Sequence, residues 1–152
     1  MDPDIIPSGV FLTFQPDFHE EMFSVLSDGP PHVTLKYTLQ DERKDSGTIM
    51  SEACKALTFL PHSTTFDGTW IETFIKDKAT RNLRSDLFLV LDEESNQFVR
   101  RVCVECGITP DLAPYRMRVA QFDTAGKAVA AETAWNKLLP LSGVFTGVII
   151  EQ

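Results

Sequence analysis

The sequence predicts an α+β protein, one domain of 152 residues made of two similar units around a central cleft. Three observations predict it. The order strand, helix, strand, helix, strand is read twice, once on each side of residue 80. The apolar run 10–14 (Val-Phe-Leu-Thr-Phe) is matched by 87–91 (Leu-Phe-Leu-Val-Leu). In each half a proline then introduces a strand, Pro31 before His32 and Pro114 before Tyr115. A first lobe over residues 1–80 and a second over 81–152 would be related by a pseudo-twofold, with antiparallel-rich sheets lining the cleft and helices outside.

Each element has its own local signal. Residues 9–15 read as a buried strand ended by Pro16, and Asp17 can cap a helix over residues 17–27. The turn Asp28-Gly29-Pro30-Pro31 feeds the strand that begins at His32. The polar stretch 40–45 is a solvated loop, and a helix over residues 47–59 is stopped by Pro61. Residues 64–76 are strand, as a hairpin broken at Asp67-Gly68, and 76–85 is a basic connection or lid. After the second apolar run, 93–107 reads as a helix with Gly107 at its C-terminal end. Strand 115–122 follows. Asp123 or Thr124 can cap a helix that reaches Leu139 before Pro140, and 144–150 closes the chain as a strand.

Composition narrows the function classes. With 43% hydrophobic and 24% charged residues the chain has enough apolar matter for one ordinary core. No apolar run is long enough to span a bilayer, so no membrane partner is expected. The start, Met-Asp-Pro-Asp-Ile-Ile-Pro, lacks the basic and long apolar regions of a signal peptide, and the three cysteines suit a reducing compartment. A cytoplasmic protein is expected. The net charge of −8 argues against a broad nucleic-acid surface but leaves room for a local anion pocket.

The sharpest chemical signal is the strand His32-Val33-Thr34-Leu35-Lys36-Tyr37. Alternation puts Val33, Leu35 and Tyr37 on one face, where they suit a core. His32, Thr34 and Lys36 share the other. An imidazole, a hydroxyl and an ammonium side by side suit a phosphate better than an apolar interior.

His-x-Thr-Leu on a strand after a proline, inside a duplicated plan, resembles the 2H phosphoesterase (LigT-like) superfamily. The resemblance covers nearly the whole chain in element order, while the signature itself rests on His32 and Thr34. It implies a two-lobed fold with one His-x-Thr motif per lobe, both converging on one phosphate. It also implies metal-independent action, with no cofactor, on 2′,3′-cyclic phosphates, 2′–5′ linkages or related cyclic nucleotides. One imidazole takes a proton from the attacking oxygen, the other gives one to the leaving oxygen, and each hydroxyl holds a phosphoryl oxygen. His32 and Thr34 are the catalytic candidates on that resemblance.

The second motif is absent. Counting from Pro114 puts Tyr115 and Met117 in the places of His32 and Thr34. The register that buries Tyr115, Met117 and Val119 instead turns Arg116 and Arg118 onto the opposite face, because burying two guanidiniums unpaired costs several kcal/mol. Arg116 and Arg118 are therefore expected across the cleft from His32 and Thr34 as ligand-binding groups. Lys36, at the rim, and Tyr115 are expected as further ligand-binding residues, and Tyr115 is also the first candidate for a further acid or base. The ligand class is a small nucleotide or RNA-end phosphate.

Other signals carry less. Cys103-x-x-Cys106 lies late in a helix, where buried structural thiols are the expectation. Phe18, Phe23, Trp70 and Trp135 are expected in the core, and Asp92, Glu93 and Glu94 form an acidic first helical turn. The Cys103-x-x-Cys106 spacing could serve a metal or redox pair, with Cys54 and His62 as further ligands, but the cleft offers no cluster of carboxylates or thiolates and no metal is expected. Three functions remain open: a 2H-type phosphodiesterase, a non-catalytic nucleotide-binding module that sequesters or regulates (an antagonist of nucleotide signalling, by analogy), and an α+β interaction domain whose cleft is idle.

Overall fold

The computed structural model describes residues 9–16, 31–36, 62–105 and 108–151. These build a mixed α+β fold of six strands and two helices: β1 (Gly9–Pro16), β2 (His32–Lys36), β3 (His62–Asp77), β4 (Asn82–Leu91), α1 (Glu93–Glu105), β5 (Arg116–Phe122), α2 (Ala125–Asn136) and β6 (Leu141–Glu151). The strands form one sheet in the order β2-β1-β6-β3-β4-β5, and every neighbouring pair is antiparallel. The outermost strands do not hydrogen-bond to each other, yet Cα atoms of β2 and β5 come within 8 Å, so the sheet is strongly curled.

Alternation sorts the two faces. Leu12 and Phe14 of β1, Val33 and Leu35 of β2, and Leu87, Leu89 and Leu91 of β4 are buried on one face. Met117 and Val119 of β5 join them, with Phe66 and Phe145 filling the middle. Val99, Val102 and Cys103 of α1 and Trp135 of α2 cover this face and complete the core. Gly143 lets β6 pass under the Phe14 ring: a Cβ there would lie 2.2 Å from Phe14 Cζ.

Polar contacts fix the helices. Asp92 Oδ1 accepts from Ser95 N–H at 2.8 Å, capping α1 behind the acidic pair Glu93 and Glu94. Buried Asn96 donates to the Leu91 carbonyl at 2.9 Å and accepts from Tyr115 N–H at 2.6 Å. It thereby ties the end of β4, the start of α1 and the entry to β5 in one step. Thr124 caps α2, accepting from Lys127 N–H at 3.3 Å, and Thr69 of β3 donates to Glu132 of α2 at 3.0 Å.

Several boundaries differ from expectation. Residues 62–77 run as one strand, which absorbs Asp67 as a bulge instead of turning at Asp67-Gly68. The basic stretch 76–85 is no lid. It is the end of the β3–β4 hairpin, with the turn at 78–81 and Ser85 already paired to both neighbours. Strand pairing there overrides a polar sequence, as it does wherever a hairpin projects into water. Helix α2 ends at Asn136, short of Leu139. The helices expected over 17–27 and 47–59, the loop 40–45 and the side chain of Lys36 lie outside the described residues. Among the described residues no helix is long and apolar enough to cross a membrane.

Candidate functional site

The second face of the sheet is polar and concave. On β3 it carries Trp70, Glu72 and Phe74; on β4, Arg84, Asp86 and Phe88, paired to them residue for residue. On β5 it carries Arg116 and Arg118, opposite Val90 and Phe88. His32 and Thr34 stand on this face of β2, since Val33 and Leu35 are buried on the other. Tyr115, Met117 and Val119 are buried and both arginines face the other way, the register that the cost of burying guanidiniums predicts.

A cavity of about 660 Å³ opens on this concave face. That lies within the roughly 300–1,000 Å³ of small-molecule sites. Thr34 from β2 and Arg116 from β5 both line it, together with Trp70, Glu72, Val90 and Tyr115. Edge strands at opposite ends of the sheet thus contribute to one wall. Among the described residues lining the cavity, neither His32 nor Arg118 is present. His32 is two residues from Thr34 along the same face, with its ring edge-on to Phe11 at 5.1 Å between centroids. Arg118 is one pleat from Arg116.

Both guanidiniums are held. Arg116 makes an ion pair with Glu72 and lies over the Phe88 ring, with Cζ 3.9 Å from its centroid. Thr34, Trp70, Asp111 and Tyr115 line the same cavity around it. Arg118 Nη1 lies 3.4 Å from Asp86 Oδ2, and Arg84 donates to the same oxygen at 3.2 Å. Asp86 is only 1% exposed and is neutralised by two cations, as a buried charge requires. Glu72 and Asp86 sit directly opposite each other on β3 and β4, and the arginines interleave with them.

Tyr115 contributes wall but no free hydroxyl. Its OH accepts from Asp111 N–H at 2.8 Å and shares a 3.4 Å hydrogen bond with Cys103 Sγ. Burial, and then the Cys103 contact, push its phenol well above the usual tyrosine range, so it holds its proton and is a poor acid or base. Cys103 is buried as a structural thiol, and Cys106 lies outside the described residues. Among the described residues no three His, Cys, Asp or Glu side chains gather as a metal site.

Three site residues escaped sequence reasoning. Trp70 was expected in the core and is instead 55% exposed, because its face of β3 looks into the cavity; Trp135, on α2, is buried as expected. Glu72 and Asp86 had no local signal of their own. Strict alternation along Trp70-Ile71-Glu72-Thr73-Phe74 does group Trp70, Glu72 and Phe74, and that grouping was the available clue. Compared with known proteins, the chain matches no protein-family model and no curated protein.

Proposed function

We propose that the chain is a phosphodiesterase of the 2H type with a degenerate second half, acting on cyclic or 2′–5′-linked nucleotide phosphates. One observation carries the reading: Thr34 and Arg116, from β2 and β5, line the same cavity. A duplicated two-lobed plan is supported by the strand order, which reads the same in reverse when β1, β2 and β3 are exchanged for β4, β5 and β6. That exchange maps the His32 strand onto the arginine strand.

In this reading the phosphate sits between the two strands. The Thr34 hydroxyl and the Arg116 guanidinium donate to its non-bridging oxygens and offset the charge that grows there during attack. Glu72, a carboxylate on the cavity wall, takes a proton from the attacking water. His32, two residues from Thr34 on the same face of β2, gives one to the leaving oxygen as its bond to phosphorus breaks. No metal or cofactor enters the scheme.

A second reading, a module that binds the nucleotide without turning it over, is favoured by the engagement of both guanidiniums with Glu72 and Asp86. Incubation with 2′,3′-cyclic nucleotides and 2′–5′-linked dinucleotides, in chelator, separates the two. Turnover that His32→Ala abolishes supports the phosphodiesterase. Binding without turnover, lost in Arg116→Ala, supports the sequestering module. Absence of binding overturns both.

A further inference from the structure

The cavity has a continuation that a mononucleotide does not need. Residues 74–84 pair only with one another, Phe74 with Arg84 and Ile75 with Leu83, because β6 has left β3 by Phe66 and β5 joins β4 only from Ser85. This two-stranded arm extends the sheet past the cavity. Trp70 at the cavity and Phe74 on the arm share one face of β3, roughly 13 Å apart along an extended strand. Both are accessible, at 55% and 37% exposure.

The arm is also basic in an acidic chain. It carries Lys76, Lys78, Arg81 and Arg84, four of the 14 lysines and arginines, against a single one of the 22 acidic residues, Asp77. The Asp77 carboxylate is occupied by the turn, accepting from Ala79 N–H at 2.9 Å. Arg84 lies over the Phe74 ring at 5.3 Å, and Arg81 holds a left-handed φ of 56° at the tip, a conformation glycine adopts more readily. Aromatic platforms interleaved with cations, leading out of a phosphate-sized cavity, match how single strands of nucleic acid are held.

We infer that the β3–β4 arm binds a single-stranded oligonucleotide, stacking bases on Trp70 and Phe74 and drawing backbone phosphates to Lys76, Lys78 and Arg81, while Arg84 stays on Asp86. The inference rests on the cavity being a phosphate site, and it makes the preferred ligand the end of a chain instead of a free mononucleotide. The net charge of the whole molecule disfavours binding elsewhere on its surface, so the track is narrow.

The test compares AMP with a single-stranded oligoadenylate of about six nucleotides, a length such grooves hold. Trp70 is the reporter, since Trp135 is only 4% exposed and insensitive to quenching from solution. The oligonucleotide should bind at least about tenfold more tightly than AMP and depend more steeply on salt. Arg81→Gly, which suits the turn, and Lys78→Gln should weaken oligonucleotide binding several-fold more than AMP binding. Each should reduce the salt slope by about 0.7, the value for one phosphate contact on a single strand. Equal affinity for the two probes, or equal effects of the arm variants on both, overturns the inference while leaving the cavity reading intact. Loss of AMP binding in Arg116→Ala with oligonucleotide binding retained supports the arm independently of the cavity. If neither probe binds, both readings fail. If Arg81→Gly changes only the oligomeric mass, the arm docks a second copy and the inference is wrong.

Discussion

The Asp86 carboxylate lies 3.4 Å from the Arg118 guanidinium and is almost sealed from water, with Arg84 closing its other side. This pair anchors β4 to β5 beneath the concave face. Removing the carboxylate breaks both ion pairs, one to Arg118, whose side chain is 19% exposed, and one to Arg84 at 37%. Asp86→Ala should therefore destabilise the fold by about 3 kcal/mol, the lower end for a broken buried pair. Urea unfolding measures it. A loss under about 1 kcal/mol would mean that water replaces the carboxylate.

Gly143 should tolerate no side chain. A methyl there meets the Phe14 ring and, at 2.7 Å, the Gln15 carbonyl. The ring belongs to the buried cluster with Phe66 and Phe145, so it cannot simply swing away. Gly143→Ala should cost about 1–3 kcal/mol through overpacking, read as a lower midpoint at unchanged m value.

Stability should fall in alkali through Tyr115. The native state holds the phenolic proton more tightly than the unfolded chain does, so the contribution is complete below the ordinary tyrosine value of about 10. It is lost as pH rises above that value and through the higher native one. Tyr115→Phe keeps the ring and removes the titration. The variant should lose less stability than the parent between pH 9 and pH 11, and parallel losses would place the sensitivity elsewhere.

On the proposed chemistry, His32→Ala should lower kcat by ~10²–10⁴-fold with binding largely kept. Glu72→Gln should also lower kcat while leaving Arg116 free of its counter-ion, so KM for the phosphate should hold or fall. A kcat that Glu72→Gln leaves unchanged would remove the carboxylate from the proton transfers.

Where local chemistry decides, the sequence was a sufficient guide. The register of β5 follows from the cost of burying Arg116 and Arg118, and the pair Asp123-Thr124 announces a helix whose cap is Thr124, accepting from Lys127 N–H. Helix α1 began where Asp92, Glu93 and Glu94 placed it. Where curvature decides, sequence fell silent. An alternating strand has two faces, and only the bend of the whole sheet makes one of them a cavity wall. Alternation alone therefore gives Trp70 to the core, and Glu72 and Arg116 lie on strands that are joined only through β4. The segment 76–85 misled in the same way. Its charges describe solvent exposure correctly and say nothing of the strand pairing that continues beneath them.

The approach of β2 to β5 bears on solubility as well as on ligands. An open sheet ordinarily leaves two unpaired edges, each able to recruit a strand from another molecule. Inserting a strand between two others needs two ladder spacings, about 9.6 Å. Here Cα atoms of the outer strands come within 8 Å without sharing a ladder, less than that spacing where they approach. The bend that brings Thr34 to Arg116 therefore makes each edge the guard of the other, and a substitution that flattened the sheet would expose two aggregation templates at once.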